Sequence, residues 1–284
     1  MSLAGRSLMG LERGLLSAKA PHSPPRRPHR QKLPADSYTV KLSHFCQDLF
    51  LTLNISYAIF PVAATNKKAR KIMERIVKFM LKELFNGQIA TLRERGTPEQ
   101  IVALFTNQRD SVVARMLKIW AKKYPTETLD SLASKGIYLG IPVIPRTHRT
   151  TYGLASMVER KMKKHNDYID PAEFTDMVET PDKPYYIFDV EDGRSTRDKS
   201  PDDIRKVFKK QKRFGLTIAE TMAFTIHADV LSRHNVWVVG SRIGKDSFWG
   251  VPLVYLNDGR PRIHWGFLDI SFWGLRSPSC GSRC

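Results

Sequence analysis

The chain has 284 residues, with 46 Lys+Arg against 28 Asp+Glu and a formal net charge of +18. Apolar residues make up 42% and charged residues 26%, ordinary globular usage that excludes a wholly disordered, collagen-like or disulfide-scaffold chain. The longest apolar stretch, Phe45 to Thr65, is broken by Gln47, Asp48, Thr52, Asn54, Ser56 and Pro61. A membrane span needs ~20 mostly apolar residues, so none is expected.

Residues 1–36 read as a basic, disordered arm: Arg6, Arg13, Lys19, Arg26, Arg27, Arg30 and Lys32 stand against Glu12 alone. Its stretch Pro21-His22-Ser23-Pro24-Pro25-Arg26-Arg27-Pro28 cannot propagate a helix. The composition also fits a mitochondrial transit peptide or a start codon assigned too far upstream. Most of the positive excess lies beyond the arm, and the sequence pI is near 9.9. Such a field concentrates anions, with nucleic acid, acidic lipid headgroups and acidic proteins as the usual partners; a merely solvated surface is the plain alternative. Cys46, Cys280 and Cys284 make an odd count that does not suit a disulfide framework, and a reducing, cytoplasmic setting is expected. Cys46 reads as a small buried apolar residue.

From residue 37 to 150 the chain is expected to be helical. Ile72, Ile76, Phe79, Met80 and Leu84 repeat at helical spacing opposite lysines and arginines, and Asn86-Gly87 reads as a stop. Thr97-Pro98-Glu99-Gln100 reads as a capping box opening a second helix. Asp110 is expected to cap a third, through Val113, Met116, Leu117 and Trp120, and a short one reaches Gly136. Ile137 to Ile144 is a strand candidate weakened by Pro142 and Pro145. Residues 151–284 are expected to form an α+β domain. In it, 150–164 reads as a helix ending in Arg160, Lys161, Lys163 and Lys164, and 169–184 as a loop. Tyr185 to Val190 reads as a strand ending at the Asp192-Gly193 turn. Ser200-Pro201-Asp202-Asp203 opens a helix with Ser as its cap, and Thr217-Ile218-Ala219-Glu220 is a second capping box. Val236 to Val239 reads as a buried strand, and Asn257-Asp258-Gly259 as the clearest hairpin signal. The fold class expected is α+β: a helical N-terminal half, then a mainly antiparallel sheet covered by helices.

Several blocks resemble a known family. They are Pro184-Tyr185-Tyr186-Ile187-Phe188-Asp189-Val190-Glu191-Asp192-Gly193, the Ser200-Pro201 helix start and Gly215-Leu216-Thr217-Ile218-Ala219-Glu220. Val239-Gly240-Ser241-Arg242, Leu256-Asn257-Asp258-Gly259-Arg260-Pro261, Trp273-Gly274 and Ser279-Cys280-Gly281-Ser282-Arg283 follow in order. Over about 184–284 they look like an uncharacterised bacterial family carrying only a domain-of-unknown-function label. That resemblance implies a bacterial, cytoplasmic protein and transfers no catalytic residue.

For chemistry, Cys280 beside Gly281 and Arg283 suggests an activated thiol, with His227 or His234 as the base of a Cys/His pair; a structural cysteine in a turn is the commoner case. His227, His234, His264, Cys280 and Cys284 lack the paired short spacing of a zinc site, so no metal is expected, and no cofactor. Asp189, Glu191 and Asp192 at a strand end suit a general base or a plain Asp-Gly turn. Arg205, Lys206, Lys209, Lys210, Lys212 and Arg213 form the strongest partner signal, a basic helix for phosphates. Trp237, Trp249, Trp265 and Trp273 read as core or hairpin packing, with one or two available for base stacking. The reading that follows is a non-enzymatic nucleic-acid-associated protein. The alternatives are a small enzyme centred on Cys280 acting on an anionic substrate, and an interaction module docking an acidic protein.

Overall fold

The computed structural model describes residues 67–160, 163–164, 174–244, 250–271 and 274–284. The expectations for the arm, for Cys46 and for Trp249 and Trp273 lie outside these residues. The helical half comprises α1 (Lys67–Glu94), α2 (Glu99–Thr106), α3 (Arg109–Lys123) and α4 (Leu129–Ser134). Asn86-Gly87 does not stop α1. An interior glycine costs about 1 kcal/mol, but Phe85, Gln88, Ile89 and Leu92 continue the buried face past it, and the Gln88 amide donates to the Gly140 carbonyl at 2.8 Å. The helix ends at Gly96 (φ +75°): the Gly96 N–H reaches Arg93 O and the Thr97 N–H reaches Leu92 O, both at 2.9 Å, a Schellman closure. Thr97 is thereby committed to the end of α1 and makes no cap for α2, which starts after Pro98 without a side-chain cap. Asp110 is no cap either; it lies in the first turn of α3, behind Gln108.

β1 (Ile137–Val143) follows despite its proline. The helix expected over 150–164 is only α5 (Thr151–Ala155), after which β2 (Glu159–Arg160) and β3 (Lys163–Lys164) pair as a hairpin that packs on β10. The expected loop over 169–184 contains β4 (Phe174–Asp176), ahead of β5 (Tyr185–Glu191). α6 (Pro201–Gln211) begins as read, with Ser200 Oγ accepting from the Asp203 N–H. β6 (Phe214–Gly215) leads into α7 (Ile218–His227), whose capping box is complete. β7 (Asn235–Trp237), β8 (Ser241–Ile243), β9 (Gly250–Asn257), β10 (Arg260–Phe267), β11 (Leu275–Arg276), β12 (Ser279–Cys280) and β13 (Ser282–Arg283) complete the chain. β9 and β10 meet at Asp258 (φ +51°) and Gly259 (φ +72°), the doubly positive turn whose twist matches a hairpin.

Two sheets result. One has the order β1-β5-β12-β6 with β13 also on β5; the other runs β11-β7-β9-β8-β4 with β10 on β9. Among the described pairs only β11–β7 is parallel, so the fold is α+β with mainly antiparallel sheets, as expected. One apolar core joins Leu81, Phe105, Met116 and Trp120 of the helices to Tyr186, Phe188 and Phe224. A smaller core under α6 contains Ile204, Phe208, Trp237, Val239, Val251 and Leu275. Among the described residues no helix is long and apolar enough to cross a membrane.

Candidate functional site

β5 is buried along nearly its whole length, so a carboxylate within it must be paired to stay ionised. Asp189 is such a group. It takes φ +54° in mid-strand, a conformation Asp tolerates better than most residues, and its side chain is 5% exposed. Oδ2 accepts from Lys123 Nζ at 2.7 Å and from Arg213 Nη1 at 2.8 Å, and Oδ1 accepts from the Tyr124 hydroxyl at 2.8 Å. Arg213 Nη2 donates to the Asp189 carbonyl at 2.6 Å, and its Nε donates to Ser279 Oγ at 2.7 Å. Gly281 stands opposite; a Cβ there would lie 2.8 Å from Asp189 Oδ2. Burial first, then the bond to Asp189, pushes the Tyr124 phenol far up.

A second pair lies one strand on. Glu220, with no exposed surface, accepts from Arg283 Nε (2.6 Å) and from the Tyr185 hydroxyl (3.0 Å) on Oε1. On Oε2 it accepts from Arg283 Nη2 (2.8 Å) and the Thr217 N–H (2.9 Å). The capping box that opens α7 thus also anchors β13, through an arginine that covers the Phe214 ring. Cys280 is buried between these pairs, and burial, with Glu220 nearby, pushes its thiol up to about 12. The charged groups acting on it are Glu220, Arg283, Arg213 and Asp189, two carboxylates and two guanidiniums.

His227 and His234 do not share a helix: α7 ends at His227. Burial, with Arg95 nearby, pushes His227 down to about 3. His234 precedes β7 and sits in a third cluster. Its Nε2 lies 2.7 Å from the carbonyl of Asp192, and burial pushes it down to about 4. Asp192, with no exposed side-chain surface, pairs through Oδ2 with Arg194 Nε at 3.0 Å and Arg233 Nη1 at 3.4 Å. Arg194 Nη1 also donates to Ser134 O, and Arg233 Nη2 to the Tyr138 hydroxyl, both at 2.6 Å. Asp192 does make the expected Asp-Gly turn, with Gly193 at φ +92° and Asp192 Oδ1 accepting from the Arg194 N–H at 3.2 Å.

The six basic residues singled out around α6 go different ways. Arg213 is turned onto Asp189. Arg205 is half-buried beside Ile204 and Phe208, pairs with Asp202 at 3.4 Å, and burial and Arg242 pull its pKa down. Lys206 pairs with Asp203 at 2.9 Å. Lys209, Lys210 and Lys212 are exposed. A longer stripe lies on α1: Lys71, Arg75, Lys78 and Lys82 follow one face at helical spacing, three of them exposed and Lys82 half-buried. Among the described residues no acid pairs with these four, Glu74 being taken by Arg70. Sequence patterns gave no hint of Lys123 and Tyr124, which are distant from Asp189 along the chain. Glu220 and Arg283 stood inside readable blocks but carried no sign of pairing. Among the described residues no three His, Cys, Asp or Glu gather as metal ligands.

The chain is thus an α+β protein whose internal acids are each held by arginines from other segments. Residues 106–266 match the model of DUF5701, a family of unknown function, and cover more than half of the chain, which belongs to that family. The match reaches into the helical half and stops short of the Ser279–Arg283 block. No curated protein and no solved structure matches the chain.

Proposed function

We propose that the protein associates with nucleic acid through its phosphates, without catalysis. The observation that supports this is the α1 stripe of Lys71, Arg75, Lys78 and Lys82. Over the eleven residue steps from Lys71 to Lys82 it extends ~17 Å, the reach of about five phosphates along one strand at ~3.4 Å each. Lys209, Lys210 and Lys212 on and after α6 add exposed cations, and the β2–β3 hairpin brings Arg160, Lys163 and Lys164 beside β10. Contacts of this kind are blind to sequence and weaken with salt through counterion release. The Cys280-centred enzyme reading gains no support: a thiol raised to about 12 is protonated at neutral pH.

Fluorescence anisotropy with a labelled mixed-sequence duplex tests the proposal. Four phosphate contacts predict a log–log salt slope of about −3.6. The triple variant Lys71→Glu, Arg75→Glu, Lys78→Glu, altering exposed side chains only, should bind at least ~10-fold more weakly with a shallower slope. Salt-independent binding, or a variant that binds as the parent does, refutes it.

A further inference from the structure

α1 carries a second apolar row besides the one that faces the core. Met73, Val77, Leu81 and Phe85 are buried, whereas Ile72 and Phe79 are 45% and 46% exposed and Ile76 is half-buried. Spaced i, i+4 and i+7, these three make a continuous strip rather than scattered surface residues. At ~100° per residue the strip lies beside the Lys71, Arg75, Lys78 and Lys82 stripe, along the same turns. Phe79 borders that stripe. It stands four residues after Arg75 and three before Lys82, the spacings at which side chains are neighbours on a helix.

Among the described residues the Phe79 ring meets no other ring and no guanidinium. Phe214, equally exposed, is covered by Arg283 at 5.2 Å, and Phe267 stands edge-on to Trp265 at 5.4 Å. Of the tryptophans expected to offer base stacking, Trp237 has no exposed surface and Trp265 packs against the main core. An open aromatic ring bordered by cations suits an unpaired nucleotide: a flat apolar face for the base, and positive charge for the phosphate one sugar away. A duplex keeps its base faces stacked inside and offers phosphates alone. An anionic bilayer would be drawn to the same cations. The strip, however, continues into Glu83 four residues after Phe79, half-buried and accepting from the Asn86 amide at 3.4 Å, and a carboxylate is costly to place in lipid.

We propose that α1 takes single-stranded nucleic acid in preference to duplex, one base stacking on Phe79 while Arg75, Lys78 and Lys82 hold the flanking phosphates. This rests on the phosphate reading given above and names the form of nucleic acid that the same helix binds. Ile72 and Ile76 extend the apolar strip along the strand. The stacking contribution is blind to sequence, because every base has a π-face, and it is absent from duplex binding.

Fluorescence anisotropy of the full chain with a labelled oligothymidylate of about 12 nucleotides and with a duplex of equal length, across a salt series, is the test. Four phosphate contacts predict a log–log slope of about −2.8 for the single strand against about −3.6 for the duplex. Extrapolated to about 1 M salt, where counterion release drops out, the single strand should bind at least about fivefold more tightly. Phe79→Ala should remove that advantage, weakening the single strand by about 5- to 150-fold and leaving duplex affinity unchanged. Phe79→Leu, which keeps apolar bulk without a ring, should lose most of it too. Phe79→Trp should keep it, with indole fluorescence quenched by the single strand and not by the duplex. Unchanged duplex binding shows that each variant is folded. Equal extrapolated affinities in the unaltered chain, a comparison that needs no variant, overturn the single-strand proposal and leave the phosphate reading standing. So does a Phe79→Ala chain that keeps the advantage. Failure of both nucleic acids to bind overturns the two together. Phosphatidylserine vesicles that bind the unaltered chain but not Phe79→Ala, while single-strand binding persists in both, would overturn it in favour of a lipid surface.

Discussion

On α1, Lys71, Arg75 and Lys78 face solvent without an acidic partner among the described residues. Around α6, Arg205 and Lys206 lie across from Asp202 and Asp203, and Arg213, just beyond the helix, is drawn into the interior by Asp189. Both segments are rich in lysine and arginine. Acids three residues away neutralise the first turns of α6, and a carboxylate distant in sequence captures the arginine at its end. Only α1 keeps a continuous positive face. Local charge density is therefore a poor guide to a binding surface; what counts is which cations the fold leaves unclaimed.

That contrast can be broken at several points. The largest effect is expected from Arg213→Met, which leaves Asp189 buried with only Lys123 and Tyr124 to hold it. Loss of about 3 kcal/mol is expected in urea denaturation, whereas Arg75→Met on α1 should shift stability by no more than about 0.5 kcal/mol. A second test uses acid. His234 sits near 4 in the folded chain against an ordinary value of 6.5, so between those values the unfolded chain binds the extra proton. Stability contributed by neutral His234 is present above about pH 6.5 and lost as pH falls toward 4, by about 3 kcal/mol in full. The stability–pH curve of His234→Gln should be flatter over that window; curves that superimpose would show that His234 does not titrate this way. A smaller effect belongs to helix starts. Thr217→Ala removes one half of the α7 capping box and should cost about 1–2 kcal/mol. Thr97→Val, at the start of α2, should be neutral or slightly stabilising, because the Thr97 hydroxyl is buried without a hydrogen bond. A loss of more than about 1 kcal/mol there would mean that Thr97 caps α2 after all.

Much of the α+β arrangement was legible locally. The Ser200 and Thr217 caps and the hairpin at Asp258-Gly259 are properties of a few neighbouring residues, and all formed; the expected α1 stripe did not become the buried face, since Ile72 and Phe79 are exposed and Met73, Val77, Leu81 and Phe85 pack inward instead. Local signals failed where distant packing outbid them. Gly87 was carried through α1 by the buried side chains around it, and Thr97 was claimed by the end of the preceding helix. The charged sites were less legible still. Asp189, Asp192, Cys280 and His234 could be marked as chemistry-bearing types, but their partners come from four or five separate segments.

By itself, the sequence determined the fold class, most element starts and the excess of positive charge, because propensity, capping and hydrophobic period act over a turn or two of chain. The tertiary structure decided which charges remain available. It placed Lys123, Arg213 and Arg283 against acids far away along the chain, because a carboxylate removed from water must find a cation wherever the fold brings one within about 3 Å.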